Sequence, residues 1–145
     1  MLGITPELAA FIRAMPKVEL HVHLEGAIRP ETLLELAQRN NVPLPYDNVD
    51  DLRQWYVFRN FPHFVEIYVK ISSCVRTADD LELVAREFLQ GQADQNIRYT
   101  EATYTAYTIY QHCGISFNDQ FALRLRDAPH FSITRLDHAD YQTGD

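Results

Sequence analysis

Basic charge is scarce in this chain of 145 residues: 13 Lys and Arg stand against 20 Asp and Glu, a net charge of -7. No basic stripe of the kind that neutralises phosphates is present, so nucleic acid and anionic membrane surfaces are poor partners. Long apolar runs are missing too. None approaches the roughly 18 residues of a membrane span, and the first residues lack the basic-then-apolar order of a signal peptide, so the expected compartment is the cytoplasm. Cysteine is nearly absent. Cys74 and Cys113 lie far apart and form no C-x-x-C, which excludes a disulfide framework or zinc knuckle and leaves two inert, reduced thiols. Repeats and low-complexity segments are absent as well. What remains is a hydrophobic content of 46% in a length that suits one domain with a core.

The apolar residues are ordered in alternating periods. Thr5-Pro6-Glu7 offers an N-cap, a proline at the first helical position and an early acid, with Leu8, Phe11, Ile12 and Met15 following at helical spacing. After Pro16 the period drops to two: Val18, Leu20, Val22 and Leu24 alternate with Glu19, His21, His23 and Glu25. This predicts a strand, and periodicity alone leaves open which set faces a core and which a barrel lumen. A helix is expected over Pro30 to Asn40, a capped segment from Asp50 through Trp55, another after Pro62, and a third from the Thr77-Ala78-Asp79-Asp80 cap to about Gly91. Asn96 to Thr105, rich in Ile, Tyr and Thr, reads as a second strand. The order is the grammar of parallel strands joined by helical crossovers, an α/β fold. From about Gln120 the pattern changes: Phe121 to Arg126 suits a helix, Pro129 interrupts it, and the last residues are polar.

The stretch K-V-E-L-H-V-H-L-E-G, Lys17 to Gly26, carries the chemistry. On a strand, residues two apart point to one side, so His21 and His23 present two imidazoles about 6 to 7 Å apart at their backbones. Such a pair suits a shared metal ion, because neutral imidazole is a good ligand and a strand holds it rigidly. The alternative is a pair of half-buried histidines bonded to neighbours. Glu25 follows on the same side, either positioned to bond a substrate or merely solvated, and Gly26 either admits a ligand close to the backbone or makes a turn.

The longer run M-P-K-V-E-L-H-V-H-L-E-G-A-I-R-P-E-T-L-L-E-L-A, Met15 to Ala37, closely resembles the N-terminal signature of the adenosine deaminase family, within the metal-dependent amidohydrolase superfamily. The likeness extends more loosely to R-Y-T-E-A-T-Y-T, Arg98 to Thr105, and covers roughly residues 5 to 118. It implies a (β/α)8 TIM-type barrel with one zinc at the carboxyl ends of the strands. By resemblance His21 and His23 are two zinc ligands, His23 also lies beside the substrate, and Glu25 holds the position of an acid that contacts it. That acid is aspartate in many adenosine deaminases and glutamate in many relatives, so the implied substrate is an amino-purine, with adenosine, adenine and aminodeoxyfutalosine all in range. Phe61 and Phe64 fall where the family has a helical lid; the alternative for them is core packing.

The family's later parts, an H-A-G-E segment with the proton-donating glutamate, an H-G motif with the orienting histidine and an S/T-D-D segment, have no counterpart in this sequence. Leu136-Asp137-His138-Ala139-Asp140 has metal-capable side chains without the family context or an evident strand, and His63, His112 and His130 stand alone. A barrel of this type takes about 250 residues. The expectation is an incomplete barrel over residues 1–119, about two of eight strands, and a divergent tail over 120–145, as a truncation, frame change or fusion would produce. The family activity is then expected to be lacking in the chain by itself. An inert fragment, or a module that self-associates through open strand edges, is the competing expectation.

Overall fold

The computed structural model describes residues 3–116, 118, 120 and 135–136. Helix α1, Pro6–Ala14, opens with the Thr5 hydroxyl accepting the Leu8 N–H and proline in its first turn. Strand β1, Lys17–His23, follows, and a short 3-10 turn over Glu25–Ala27 leads into α2, Pro30–Arg39. Helix α3, Val49–Trp55, is capped by Asn48 rather than by Asp50, which lies in its first turn. Asn60 caps α4, Phe61–Ser72, and a full capping box of Thr77 and Asp80 starts α5, Ala78–Asp94. Strand β2, Ile97–Tyr104, runs directly into α6, Ala106–Cys113, a helix the sequence pattern did not announce. It ends where Gly114 takes a left-handed backbone, φ 72°.

β1 and β2 pair in parallel through the crossover of α2 to α5, giving the expected α/β grammar. The tail, expected without a strand, contributes one: Arg135–Leu136, β3, pairs in parallel with β2, so the sheet order is β1-β2-β3. The helix expected over 121–126, His130 and the metal-capable Asp137, His138 and Asp140 lie outside the described residues. Among the described residues no helix is long and apolar enough to cross a membrane.

The core lies between the helices and one face of the sheet. Leu33 and Leu36 of α2, Leu52 of α3, Leu81 of α5, Ile109 of α6 and Val75 are all but sealed from solvent, each contributing about 1.5–3 kcal/mol relative to exposure. One carboxylate sits among them. Asp80 is fully buried and accepts from Arg39 Nη1 at 3.1 Å, Asn40 Nδ2 at 2.8 Å and the N–H groups of Arg76 and Thr77, each at 3.0 Å. Burial pushes its pKa up, but these hydrogen bonds outweigh it and hold the carboxyl below its ordinary value. Burial raises the pKa of both cysteines, which are free thiols.

Strand β1 departs from simple alternation. Glu19 pairs with Thr100 and Val22 with Ala102, so three steps on β1 match two on β2 and one extra residue is bulged out. His21 absorbs it with φ 62°, in the left-handed region that a non-glycine residue rarely occupies. The bulge splits the apolar set. Val22 and Leu24 pack into the helix-side core, whereas Val18 and Leu20 are 64% and 59% exposed. The predicted apolar face of α1 is also uncovered, with no buried residue on that helix.

Candidate active site at the ends of β1 and β2

A cleft of about 500 Å³ opens where β1 and β2 end. It is lined by His21, Val22 and His23 from β1, Gly26 and Ala27 from the turn, Phe64 and Tyr68 from α4, and Thr105 after β2. The position follows from the fold, since parallel strands deliver their last residues and the loops beyond them to one edge of the sheet. A larger groove of about 640 Å³, walled by Pro43, Leu44, Trp55, Val65 and Val69, draws no residue from a strand or a strand end. The larger groove has Glu66, Lys70 and Ser73 among its walls, whereas the smaller cleft holds the two imidazoles.

His21 and His23 share it as the sequence predicts. Their ring centroids are 5.5 Å apart with planes at 72°, an edge-to-face contact. His23 in turn meets the Tyr68 ring at 6.4 Å, Tyr68 meets Phe64 at 6.2 Å, and Phe64 meets Phe61 at 6.2 Å and Phe58 at 5.4 Å. Phe64 is cleft wall. Phe61 is 74% exposed among the described residues.

Of the two sequence alternatives for Glu25, the solvated one does not hold, and the residue has left the strand that carries the histidines. The strand ends at His23, Leu24 turns into helical backbone, and Glu25 begins the 3-10 turn only 3% exposed, neither solvated nor lined up with the histidines by strand alternation. Its Oε1 accepts the Thr105 N–H at 2.7 Å, and its buried Oε2 has no hydrogen-bond partner among the described residues. Burial pushes the carboxyl pKa up, while the N–H groups of Glu25 and Thr105 and the nearby His23 pull it down. Tyr68 lies beside it, and burial together with the Glu25 charge pushes that hydroxyl up to about 12. A Cβ at Gly26 would lie in ordinary van der Waals contact, 3.4 Å from Tyr68 Cε2 and 3.8 Å from His23 Cβ.

Thr105 ends the resembling segment Arg98 to Thr105, but neither it nor Tyr68 was singled out as a site residue from sequence. The one signal for Tyr68 is its helical spacing from Phe61 and Phe64, which puts all three on neighbouring turns of α4. His63 stays out of the cleft lining; its Nδ1 accepts the Arg59 N–H at 3.2 Å and its own N–H donates to Asn60 Oδ1 at 3.0 Å. The His112 side chain lies outside the described residues.

Two imidazoles two residues apart on one strand fit zinc in donor type. Among the described residues no group of three His, Cys, Asp or Glu is placed to hold a metal ion.

The family-wide sequence profile described as adenosine deaminase matches residues 16–128. An adenine deaminase of Bordetella avium is 40% identical over 98 residues, which cover 68% of this chain and 31% of that protein. Among solved structures, an amidohydrolase from Burkholderia ambifaria with bound zinc superimposes with a TM-score of 0.74 at 30% identity, covering 88% of this chain and 35% of its own. The adenine deaminase of Arthrobacter aurescens gives 0.66 at 28% identity over 76% of this chain and 35% of its own. The chain thus spans about a third of the length of the relatives it matches. With the signature run placed on β1 and its histidines at the strand end, the chain belongs to the adenosine deaminase family.

Proposed function

We propose that this chain is the first part of a (β/α)8 barrel whose complete form is a zinc-dependent deaminase of amino-purines, with adenine the favoured substrate. The observation that carries the reading is the cleft at the ends of β1 and β2, in which the two histidines of the signature sit under an aromatic wall. Support for adenine comes from the relatives, among which adenine deaminases recur. His21 and His23 are the residues that would hold zinc, which supplies a Lewis acid able to make water nucleophilic near neutral pH.

The chain's own residues bind and orient. Phe64 and Tyr68 offer flat apolar faces against which a purine ring stacks, and the exposed Phe61 extends that wall as part of a lid. A volume of about 500 Å³ lies in the range of small-molecule sites. Glu25, fixed through Oε1, keeps Oε2 available for a polar group of the substrate. His23 stands between His21 and Tyr68, so it would border the substrate as well as hold zinc. No described residue occupies the role of proton donor, and the 145-residue chain by itself is read as binding without turnover.

Equilibrium binding of adenine and adenosine to the purified chain, with ultraviolet absorbance recorded for turnover, tests this. Adenine binding weakened about tenfold by Phe64→Ala supports the reading. Binding that is indifferent to Phe64→Ala and to His23→Ala overturns it, and turnover lost on His21→Ala overturns the inert character of the isolated chain.

A further inference from the structure

We infer that a buried hydrogen-bond relay, Glu19 to Gln92 to Thr100, is a register lock that holds the β1 bulge and so positions His21. Gln92 on α5 donates through Nε2 to Glu19 Oε2 at 2.7 Å and accepts through Oε1 from the Thr100 hydroxyl at 2.9 Å. Glu19 and Thr100 are register partners on β1 and β2, so one amide grips both strands from the helix side.

Two packings compete for the first half of β1. With unbroken alternation, Val18, Leu20, Val22 and Leu24 would all turn to the helix layer and no residue would need a left-handed backbone. The structure holds the other packing, with Val18 and Leu20 left exposed and His21 at φ 62°. Backbone preference favours the unbroken strand, and so does apolar burial among the described residues taken by themselves. What opposes it is polar. A one-residue slip would carry Glu19 away from α5 and leave the Gln92 amide, in a residue only 8% exposed, without its acceptor. A second register shift lies between Lys17 and Val18, so the ammonium of Lys17, donating to the carbonyls of Gln95 at 2.7 Å and Met15 at 3.0 Å, ties the strand's start but leaves the Glu19 register to Gln92.

The upstream half of the strand is therefore fixed with Glu19 toward the helices, and the downstream half with Val22 and Leu24 toward them. These two phases differ by one residue, and His21 takes up the difference. Its ring meets His23 edge-on at 5.5 Å as a result, instead of lying beside it as on a regular strand. Glu19 and Gln92 touch neither histidine ring; they are positioning residues that act through the His21 backbone. The consequence for metal binding rests on the zinc reading, whereas the lock itself is a statement about the backbone.

The test uses the isotope-labelled full chain. The amide-to-α-proton coupling and α-carbon shift of His21 report its left-handed backbone, and the ring signals of His21 and His23 during a zinc titration report affinity. Gln92→Leu is expected to move His21 to extended-strand values and weaken zinc binding about tenfold while the far-ultraviolet spectrum stays folded. The exchanged pair Glu19→Gln with Gln92→Glu rebuilds the same bonds with the roles reversed and is expected to restore both signals. Left-handed values that persist in folded Gln92→Leu overturn the lock, as does an exchanged pair that folds with His21 extended. If Gln92→Leu fails to fold, the exchanged pair decides. Equal zinc affinity in all three chains overturns the positioning role, and a parent chain whose rings ignore zinc overturns the zinc reading while the backbone signals still decide the lock.

Discussion

The Glu25 carboxylate accepts the Thr105 N–H at 2.7 Å, so the turn that leaves β1 is clasped to the residue that follows β2. Two strand ends that each carry cleft residues are tied by one bond. Glu25→Ala removes the acceptor and is expected to cost about 2 kcal/mol in chemical denaturation, whereas Glu25→Gln keeps an acceptor oxygen and is expected to stay within about 1 kcal/mol of the parent.

Gly26 separates a tolerated change from a damaging one. A single Cβ meets Tyr68 at the edge of ordinary van der Waals contact, and the residue has no positive φ to protect. Gly26→Ala is expected to shift stability by less than about 1 kcal/mol. Gly26→Val adds two methyl groups against the Tyr68 ring and is expected to weaken adenine binding about tenfold, as seen by titration, because that ring is cleft wall.

Asp80 predicts acid sensitivity with a defined sign. Its pKa is held below the ordinary 3.8, so the folded state prefers the charged form, and the stability this contributes is full above that value and lost as pH falls through the folded pKa. Asp80→Asn is expected to be less stable than the parent at neutral pH. Urea denaturation across the acid range should show the difference shrinking below the ordinary value. Asp80→Ala, which also leaves Arg39 and the Arg76 and Thr77 N–H groups without their acceptor, is expected to cost about 3 kcal/mol at neutral pH.

Phe61 separates function from folding. At 74% exposure its replacement by alanine is expected to leave the melting transition within about 0.5 kcal/mol, yet it removes the ring stacked on Phe64. Weaker adenine binding at unchanged stability would mark it as lid. Unchanged binding would mark it as surface.

Much of this was legible in the sequence because the signals were local. Thr5-Pro6, Pro30 and Thr77 through Asp80 each fix a helix start through neighbouring atoms, and the α/β order follows from period alone. The histidine pair was legible as a motif, and it stands at the end of β1. What the pattern misread was tertiary. Val18, Leu20, Val22 and Leu24 alternate flawlessly, but Gln92, 73 residues from Glu19, sets the upstream half in the opposite phase. Glu25 is off the histidines' side because the alternation read from sequence runs two residues past the end of the strand, into a turn. Tyr68 and Thr105 reach the cleft only through the crossover, which no local period encodes. The two-residue β3 is too short for any period to mark.

The central claim is that β1 delivers half of a zinc site. Zinc titration of the full chain, followed by the ring signals of every histidine, tests it most directly. The account predicts that His21 and His23 shift together with weak affinity and one zinc per chain, that His63 stays unmoved, and that His21→Ala or His23→Ala abolishes the shift in the other ring. Zinc that shifts His63 as readily as the pair, or that still binds with His21 and His23 both replaced, would contradict it.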